Sequence, residues 1–146
     1  MPETIQDAQL LAQFSQAYRS AVDAYMDQAG MHRGQALLLC TINKQAGMTQ
    51  TEIAERLAVQ GATVSHMLQR LEEARLVTRQ RDAADNRLVR VYATEAGQQK
   101  ELEIQERLCC LEEAVLKGIG PEDRETLRRL VWQMMDNISG ESQVNP

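Results

Sequence analysis

Thr49-Gln50-Thr51-Glu52-Ile53-Ala54-Glu55-Arg56-Leu57-Ala58-Val59-Gln60-Gly61-Ala62-Thr63-Val64-Ser65-His66-Met67-Leu68-Gln69-Arg70-Leu71 is the stretch that decides the fold of this chain. Thr49 and Glu52 have capping-box spacing: the hydroxyl accepts from the N–H three residues on, and the carboxylate reaches back to the threonine N–H. A short helix is therefore expected to start there. Ile53 and Leu57 face inward, Ala54 is small enough for a second helix to approach, and Ala58 and Val59 form the turn. A second helix is expected over about 62–74, with Val64, Met67, Leu68 and Leu71 along one side. Two short helices packed at a fixed angle make a helix-turn-helix. This leaves Gln60, Gly61, Ala62, Thr63, Ser65, His66 and Gln69 toward solvent at the start of the second helix, with Arg70 a turn further along. That end of such a pair is the one that enters a major groove, where hydroxyls and amides suit phosphates and base edges. The helix pattern alone also fits a plain helical hairpin, and His66 fits a solvent-exposed histidine as well as a DNA contact.

The residues that follow add a second feature. Segments 77–81 and 88–92 are β-branched or alternating and flank the polar run Asp82-Ala83-Ala84-Asp85-Asn86-Arg87, the pattern of a hairpin with a polar tip. Such a ribbon can lay Arg87 in the minor groove beside the reader helix, where a narrow A·T tract concentrates negative potential. Asp85, two residues away, is placed to orient that guanidinium by a charge-assisted bond. Arg79, Arg81 and Arg90 on the strand stems are placed for flanking phosphates. Read by itself, the hairpin is equally a solvated charged loop; the helix pair and the basic ribbon together argue for DNA.

Charge looks adverse at first. The 146-residue chain carries a net charge of −5, and phosphate neutralisation by Lys and Arg dominates nucleic-acid affinity. Between Thr49 and Thr94, however, seven arginines face six acids, which leaves nine basic and fifteen acidic residues elsewhere. The acidity thus lies outside the reading module.

Outward from the module, apolar residues return at helical spacing. A helix over about 5–28 lines up Leu11, Phe14, Tyr18, Val22 and Tyr25 before Gly30, and a mostly buried one over about 35–43 precedes Gly47. Thr94 suits the cap of a long helix carrying Ile104, Leu108, Leu111, Val115 and Ile119, broken at Gly118 and Gly120. Pro121, Glu122 and Asp123 open a last helix with Leu127, Leu130, Val131, Met134 and Ile138 on one face. The expected fold class is therefore mainly α with a small β-hairpin wing, a winged helix-turn-helix with helices before and after it. An apolar share of 43% and a charged share of 25% fit one ordinary globular domain. No apolar run approaches the roughly 20 residues of a membrane span, and the acidic start Met1-Pro2-Glu3-Thr4-Ile5-Gln6-Asp7 is unlike a secretory signal. A cytoplasmic location, with no membrane partner, is the expectation, and three irregularly placed cysteines fit reduced thiols there.

Thr49-Gln50-Thr51-Glu52-Ile53-Ala54-Glu55-Arg56-Leu57, Ala62-Thr63-Val64-Ser65, Leu71-Glu72, Asp85-Asn86-Arg87 and Thr94-Glu95-Ala96-Gly97 together resemble the multiple antibiotic resistance regulator (MarR) family. The order of helices matches over nearly the whole chain. The resemblance implies one domain over 1–146, with 31–97 as the DNA-binding module and 1–30 and 98–146 as dimerisation helices. It implies a homodimer that presents two reader helices to a palindromic site in double-stranded DNA. By position, Thr63 to Arg70 would be the major-groove reader, and Asp85 with Arg87 the wing-tip pair. Two departures stand out: Ala74-Arg75 replaces the usual basic-then-glycine end of the reader helix, and Ala93 stands where a leucine commonly precedes Thr94.

Members of that family often bind small aromatic anions between the dimer helices and the reader. Tyr18, Tyr25, Met26, His32 and Arg33 are the residues here that such an effector would meet; the alternative is that the tyrosines pack in the interface and His32 and Arg33 are surface residues. Cys40 lies in an apolar run and reads first as a small hydrophobe. Adjacent Cys109 and Cys110 diverge around a helix axis, so oxidation would join one of them to a symmetry mate or a partner thiol. No metal or cofactor is expected, because His32, His66 and three scattered cysteines have no ligand spacing. Nor is there a nucleophile with an evident base, so the chain is not expected to be an enzyme. The competing reading is a winged helix used for protein contacts, which the net acidity favours.

Overall fold

The computed structural model describes residues 2–141 of the chain. These form six helices and three short strands: α1 (Pro2–Gln28), α2 (Arg33–Lys44), β1 (Met48–Thr49), α3 (Gln50–Leu57), α4 (Gly61–Glu73), β2 (Val77–Arg81), β3 (Val89–Ala93), α5 (Glu95–Val115) and α6 (Pro121–Glu141). The chain divides into two compact units, Met1–Leu111 and Glu112–Pro146. The boundary falls inside α5.

The core of the first unit is built around α2, whose Ala36, Leu38, Leu39 and Ile42 are buried. Against it pack Met26 of α1, Ile53 of α3, Val64, Leu68 and Leu71 of α4, Val77 and Val91 of the strands and Ile104 of α5. Fully burying each such Leu or Ile stabilises the fold by roughly 1.5–3 kcal/mol relative to leaving it exposed. One polar group within this helix is satisfied locally: the Thr41 hydroxyl donates to the Leu37 carbonyl at 2.8 Å. Leu37 itself, in the middle of the apolar run, is exposed, so α2 is buried along a stripe and not all round.

The sheet is antiparallel in the order β1-β3-β2. Val77 pairs with Ala93 and Arg81 with Val89, while Met48 pairs with Val91 and Thr49 with Arg90. The expected two-stranded hairpin thus gains a third strand, which ties the wing to the start of the helix pair.

Local chemistry sets the helix ends. α3 starts with the expected capping box: the Glu52 N–H donates to the Thr49 hydroxyl at 3.2 Å and the Thr49 N–H to the Glu52 carboxylate at 2.7 Å. α3 and α4 both end in a left-handed residue followed by a pair of reversed backbone bonds. At the first, Ala58 has φ 52° and Val59 N–H donates to Ala54 O at 3.1 Å. At the second, Arg75 has φ 59°, its N–H donates to Glu72 O at 2.9 Å, and Leu76 N–H donates to Leu71 O at 2.9 Å. The position where the family's glycine is absent is therefore left-handed all the same, held by two backbone hydrogen bonds. A left-handed conformation costs an L-residue about 1–2 kcal/mol, partly offset by the unfolded-chain freedom that glycine adds. Arg75→Gly is accordingly expected to raise stability by up to about 1 kcal/mol, read as a higher urea midpoint at unchanged slope.

Candidate nucleic-acid interface

The helix pair presents its polar residues as the pattern required. Val64 and Leu68 of α4 are fully buried and Leu71 nearly so, which rotates Gln60, Ala62, Thr63, Ser65, His66, Gln69 and Arg70 to the exposed side. Val64 and Leu68 are four residues apart and Leu71 three further on, so one stripe faces the core and the opposite one faces out. The Gln50 amide donates to the Gly61 carbonyl at 3.2 Å, joining the start of α3 to the start of α4. Gln69 donates to Glu73 at 3.1 Å, an i,i+4 contact along the helix surface. The reader residues anticipated from the sequence therefore share one exposed face.

The five wing residues separate into distinct environments. At the tip, Arg87 is 90% exposed and lies against Asp85 through two side-chain bonds, Nε to Oδ1 at 3.1 Å and an Nη to Oδ2 at 3.2 Å. Asp85 also accepts from the Arg87 N–H at 3.0 Å, and these bonds hold its carboxyl below the ordinary carboxylate range. Arg81 donates to the Asn86 carbonyl at 3.1 Å. Arg79 pairs with Glu72 of α4 at 2.9 Å and reaches Gln50. Arg90 is bound on two sides, by the Asp82 carboxylate and by the Gly47 carbonyl at 2.8 Å. Arg79 and Arg90, expected as phosphate contacts, are thus both engaged in ion pairs within the protein, and of the three ion-paired wing arginines Arg87 is the most exposed.

Asp82 closes the turn at the base of the wing tip. Besides Arg90, its carboxylate accepts from the N–H groups of Ala84 at 2.8 Å and Asp85 at 3.0 Å. The Arg90 bond, followed by the two amide bonds, lowers its pKa from 3.8 to about 2. A carboxylate with a depressed folded-state pKa adds stability that is present above its unfolded pKa and is lost as pH falls through the folded value. The Asp82 carboxyl is accordingly expected to titrate near pH 2 by NMR, with its share of wing stability intact at neutral pH and fading between about pH 4 and pH 2. A midpoint near 4 would contradict this bonding.

The other predicted site residues are not gathered into one pocket. Met26 is 2% exposed and belongs to the core, against which Tyr25 also packs. Tyr18 is exposed and stacks on Phe14 with ring centroids 5.9 Å apart. His32 and Arg33 border a small groove with Asp23 and Asp27, where Arg33 approaches Asp23 at 3.6 Å and His32 approaches Asp27 at 4.0 Å. Two carboxylates beside these two bases make that groove a poor receptor for an anion. Residues at helical spacing on α1 thus point partly into the core and partly out. A larger groove of about 510 Å³ lies elsewhere, bordered by Met31, Gln35, Arg70, Leu76, Gln99 and Lys100 among others. The sequence offered no signal for it, since its walls come from three separate segments, 30–35, 70–76 and 96–103. Lys100 is anchored at its rim, donating to the Ala29 carbonyl at 2.5 Å and pairing with Glu103 at 2.9 Å.

Cys40 is half-buried, and burial followed by the charge of Glu101 pushes its thiol pKa up. Cys109 and Cys110 are exposed. Among the described residues, no group of three or more His, Cys, Asp or Glu side chains is arranged to hold a metal ion, and no helix is long and apolar enough to cross a membrane.

A helix-turn-helix followed by an antiparallel ribbon with an outward arginine defines a winged helix-turn-helix protein. Residues 31–89 match the profile described as MarR family. The HTH-type transcriptional regulator YwoH of Bacillus subtilis (strain 168), itself described as uncharacterized, is 30% identical over 124 residues, 83% of this chain and 90% of that protein. This chain belongs to the MarR family, whose members are transcriptional regulators and not enzymes. The HTH-type transcriptional repressor MdtR of the same organism is 31% identical over 72 residues, 49% of this chain and 46% of MdtR, so the chain spans about half of that relative's length. The crystal structure of a S. aureus MepR–DNA complex has the same fold, with a TM-score of 0.72 and 24% identity, covering 89% of this chain and 96% of that one.

Proposed function

We propose that this chain is a sequence-specific, double-stranded-DNA-binding repressor that works as a homodimer on a palindromic operator. The observation that carries the reading is the juxtaposition on one module of an exposed polar row on α4 and an outward, carboxylate-oriented arginine at the wing tip. Thr63, Ser65, His66 and Gln69 supply donors and acceptors for base edges and phosphates, and Arg70 a cation beside them. Arg87 supplies a guanidinium for the minor groove. The MepR–DNA complex supports the reading by its fold, and MdtR by its description as a repressor.

Dimerisation is supported by apolar side chains on the flanking helices. On α1, Leu10 is 65% exposed, and Leu11, Phe14 and Tyr18 are exposed with it. On α6, Leu127, Leu130, Val131, Met135 and Trp132, the last 63% exposed, do the same. Taken separately, each helix carries several large exposed apolar side chains, the kind of surface that marks an interaction site, and a second copy of the chain supplies matching surfaces. In this reading the parts 1–30 and 98–146, which carry α1, most of α5 and α6, act as the dimerising part and 31–97 as the reader, in the cytoplasm where the DNA lies.

Release is assigned to a small ligand or to oxidation. The 510 Å³ groove is within the size range of small-molecule sites; it combines apolar Met31, Leu71 and Leu76 with Arg70 and with Lys100, whose charge is already paired with Glu103 in the same lining, so Arg70 is the cation left for an anionic group. Arg70 belongs to the reader helix, so an occupant of the groove acts directly on the element that meets DNA. For oxidation, the exposed Cys109 and Cys110 are better placed than Cys40, whose raised pKa leaves less thiolate.

The test is selection of bound fragments from random duplexes, followed by titration of the selected site against salt. An inverted repeat with half-sites about one helical turn apart, and an affinity that falls steeply with salt, is the expected result. Binding that is absent, or indifferent to both sequence and salt, would overturn it and leave the protein-contact reading standing.

A further inference from the structure

Arg90 and Asp82 form an ion pair at the point where the wing leaves the sheet, and each also bonds to backbone on a different side. Asp82 gathers the N–H groups of Ala84 and Asp85, the turn that leads into Asp85 and Arg87. The Asp82 N–H closes the same loop by donating to the Leu88 carbonyl at 2.9 Å. Arg90 reaches the other way, to the carbonyl of Gly47, which is 43 residues distant in sequence and immediately precedes β1. Gly47 N–H in turn donates to Val91 O at 3.0 Å. The tip of the wing is thereby connected through two side chains to the turn that delivers α3.

We infer that Asp82 and Arg90 are positioning residues for DNA recognition, a latch that holds the wing tip, and with it Arg87, at a fixed place relative to the reader helix. The inference rests on the DNA-binding reading above. A ribbon tip with two backbone amides left unpaired has many conformations, and each reduces the share of time Arg87 spends where a groove would receive it. The latch removes that freedom before DNA arrives. It also accounts for an acidic residue among the arginines of a surface that meets phosphates, where simple electrostatics disfavours it.

The sign of one substitution separates this role from a surface charge. Asp82→Asn removes a negative charge from the DNA-facing wing and frees Arg90; on charge alone, affinity for the selected duplex rises and its salt dependence steepens. The latch requires the opposite. Affinity is expected to fall by about five- to tenfold, a part of the loss that removing an arginine contact outright brings, and the salt dependence to become shallower. Because Asp82 acts through Arg87, Asp82→Asn is expected to cost nothing further in an Arg87→Ala background. Arg90→Gln provides the second variant, with the same Arg87-dependent loss. Amide exchange at Ala84 and Asp85 in the free protein reports the wing directly and is expected to speed up in Asp82→Asn while the α2 amides stay protected.

Unchanged or tighter binding by Asp82→Asn overturns the inference, as does a loss that persists undiminished without Arg87. An Arg90→Gln loss that adds fully to that of Arg87→Ala also overturns it, assigning Arg90 a phosphate contact of its own. Failure of the wild type to bind any duplex is a different result, which removes the DNA reading on which the inference stands.

Discussion

Gly97→Ala is expected to destabilise the first unit by roughly 3 kcal/mol or more, at or beyond the upper end of ordinary overpacking costs. An alanine Cβ at this position lies 2.0 Å from the Leu76 carbonyl oxygen and 3.0 Å from its carbon, with Leu39 Cδ1 a further 3.4 Å contact. A clash with a flexible side-chain end relaxes by rotation, but here the obstacle is backbone. That backbone is held on both sides: Leu76 N–H donates to Leu71 O at 2.9 Å, and Leu76 O accepts from Thr94 N–H at 3.0 Å. Thr94 also donates its hydroxyl to the Arg75 carbonyl at 2.7 Å and accepts from the Gly97 N–H at 3.1 Å. Making room therefore means breaking the cap of α5 or the end of α4, and either change moves Leu39, which is fully buried. Natural domains hold only about 5–15 kcal/mol in reserve, so such a loss brings the variant close to unfolding at physiological temperature. Urea unfolding of the wild type and the variant measures it; Gly120→Ala, whose Cβ meets nothing within 4 Å, serves as the control. A midpoint shift no larger than the control's would show that α5 can move away from α4 at little cost.

The same junction shows what the sequence makes legible. Thr94 marks a cap, because only certain residue types serve that position, and the helix pair is marked by periodic apolar residues with a capping box. These signals are local. Gly97 entered only as part of a family motif, and its close approach to Leu76 shows in the structure alone. What escaped was long-range: β1 is two residues long and has no periodicity to read, and its existence depends on β3 some forty residues later. The ion pairs of Arg79 and Arg90 likewise depend on which strand register and which turn face them, so both arginines looked like free cations. Arg75 is the reverse case. Its departure from glycine was visible, but only the backbone shows that the left-handed turn persists without it. The groove bordered by Arg70 and Lys100 has walls from separate segments, and nothing in a linear pattern announces it.

Arg87→Ala is expected to weaken binding to every duplex tested, with a loss of roughly 1–3 kcal/mol for each arginine removed from the interface. In a symmetric dimer both wings lose their arginine, so the two effects combine on one operator, a change of order 10² or more in affinity. Because Arg87 is 90% exposed and its side chain bonds to Asp85 at the same tip, the effect belongs to binding; thermal stability should change little. The salt dependence is informative, since removing one phosphate-like interaction lowers the log–log slope by about one, and two wings lower it by about two. Arg87→Lys refines the assignment: it keeps the charge but loses the planar fork that Asp85 grips through two bonds. If Arg87 acts only as a cation, Lys restores nearly all of the affinity and the slope. If its orientation in a narrow groove matters, Lys restores the slope more fully than the affinity, and the preference for A·T-rich flanks weakens. Equal affinity of Arg87→Ala and the wild type would remove the wing from the interface and leave recognition to α4 alone.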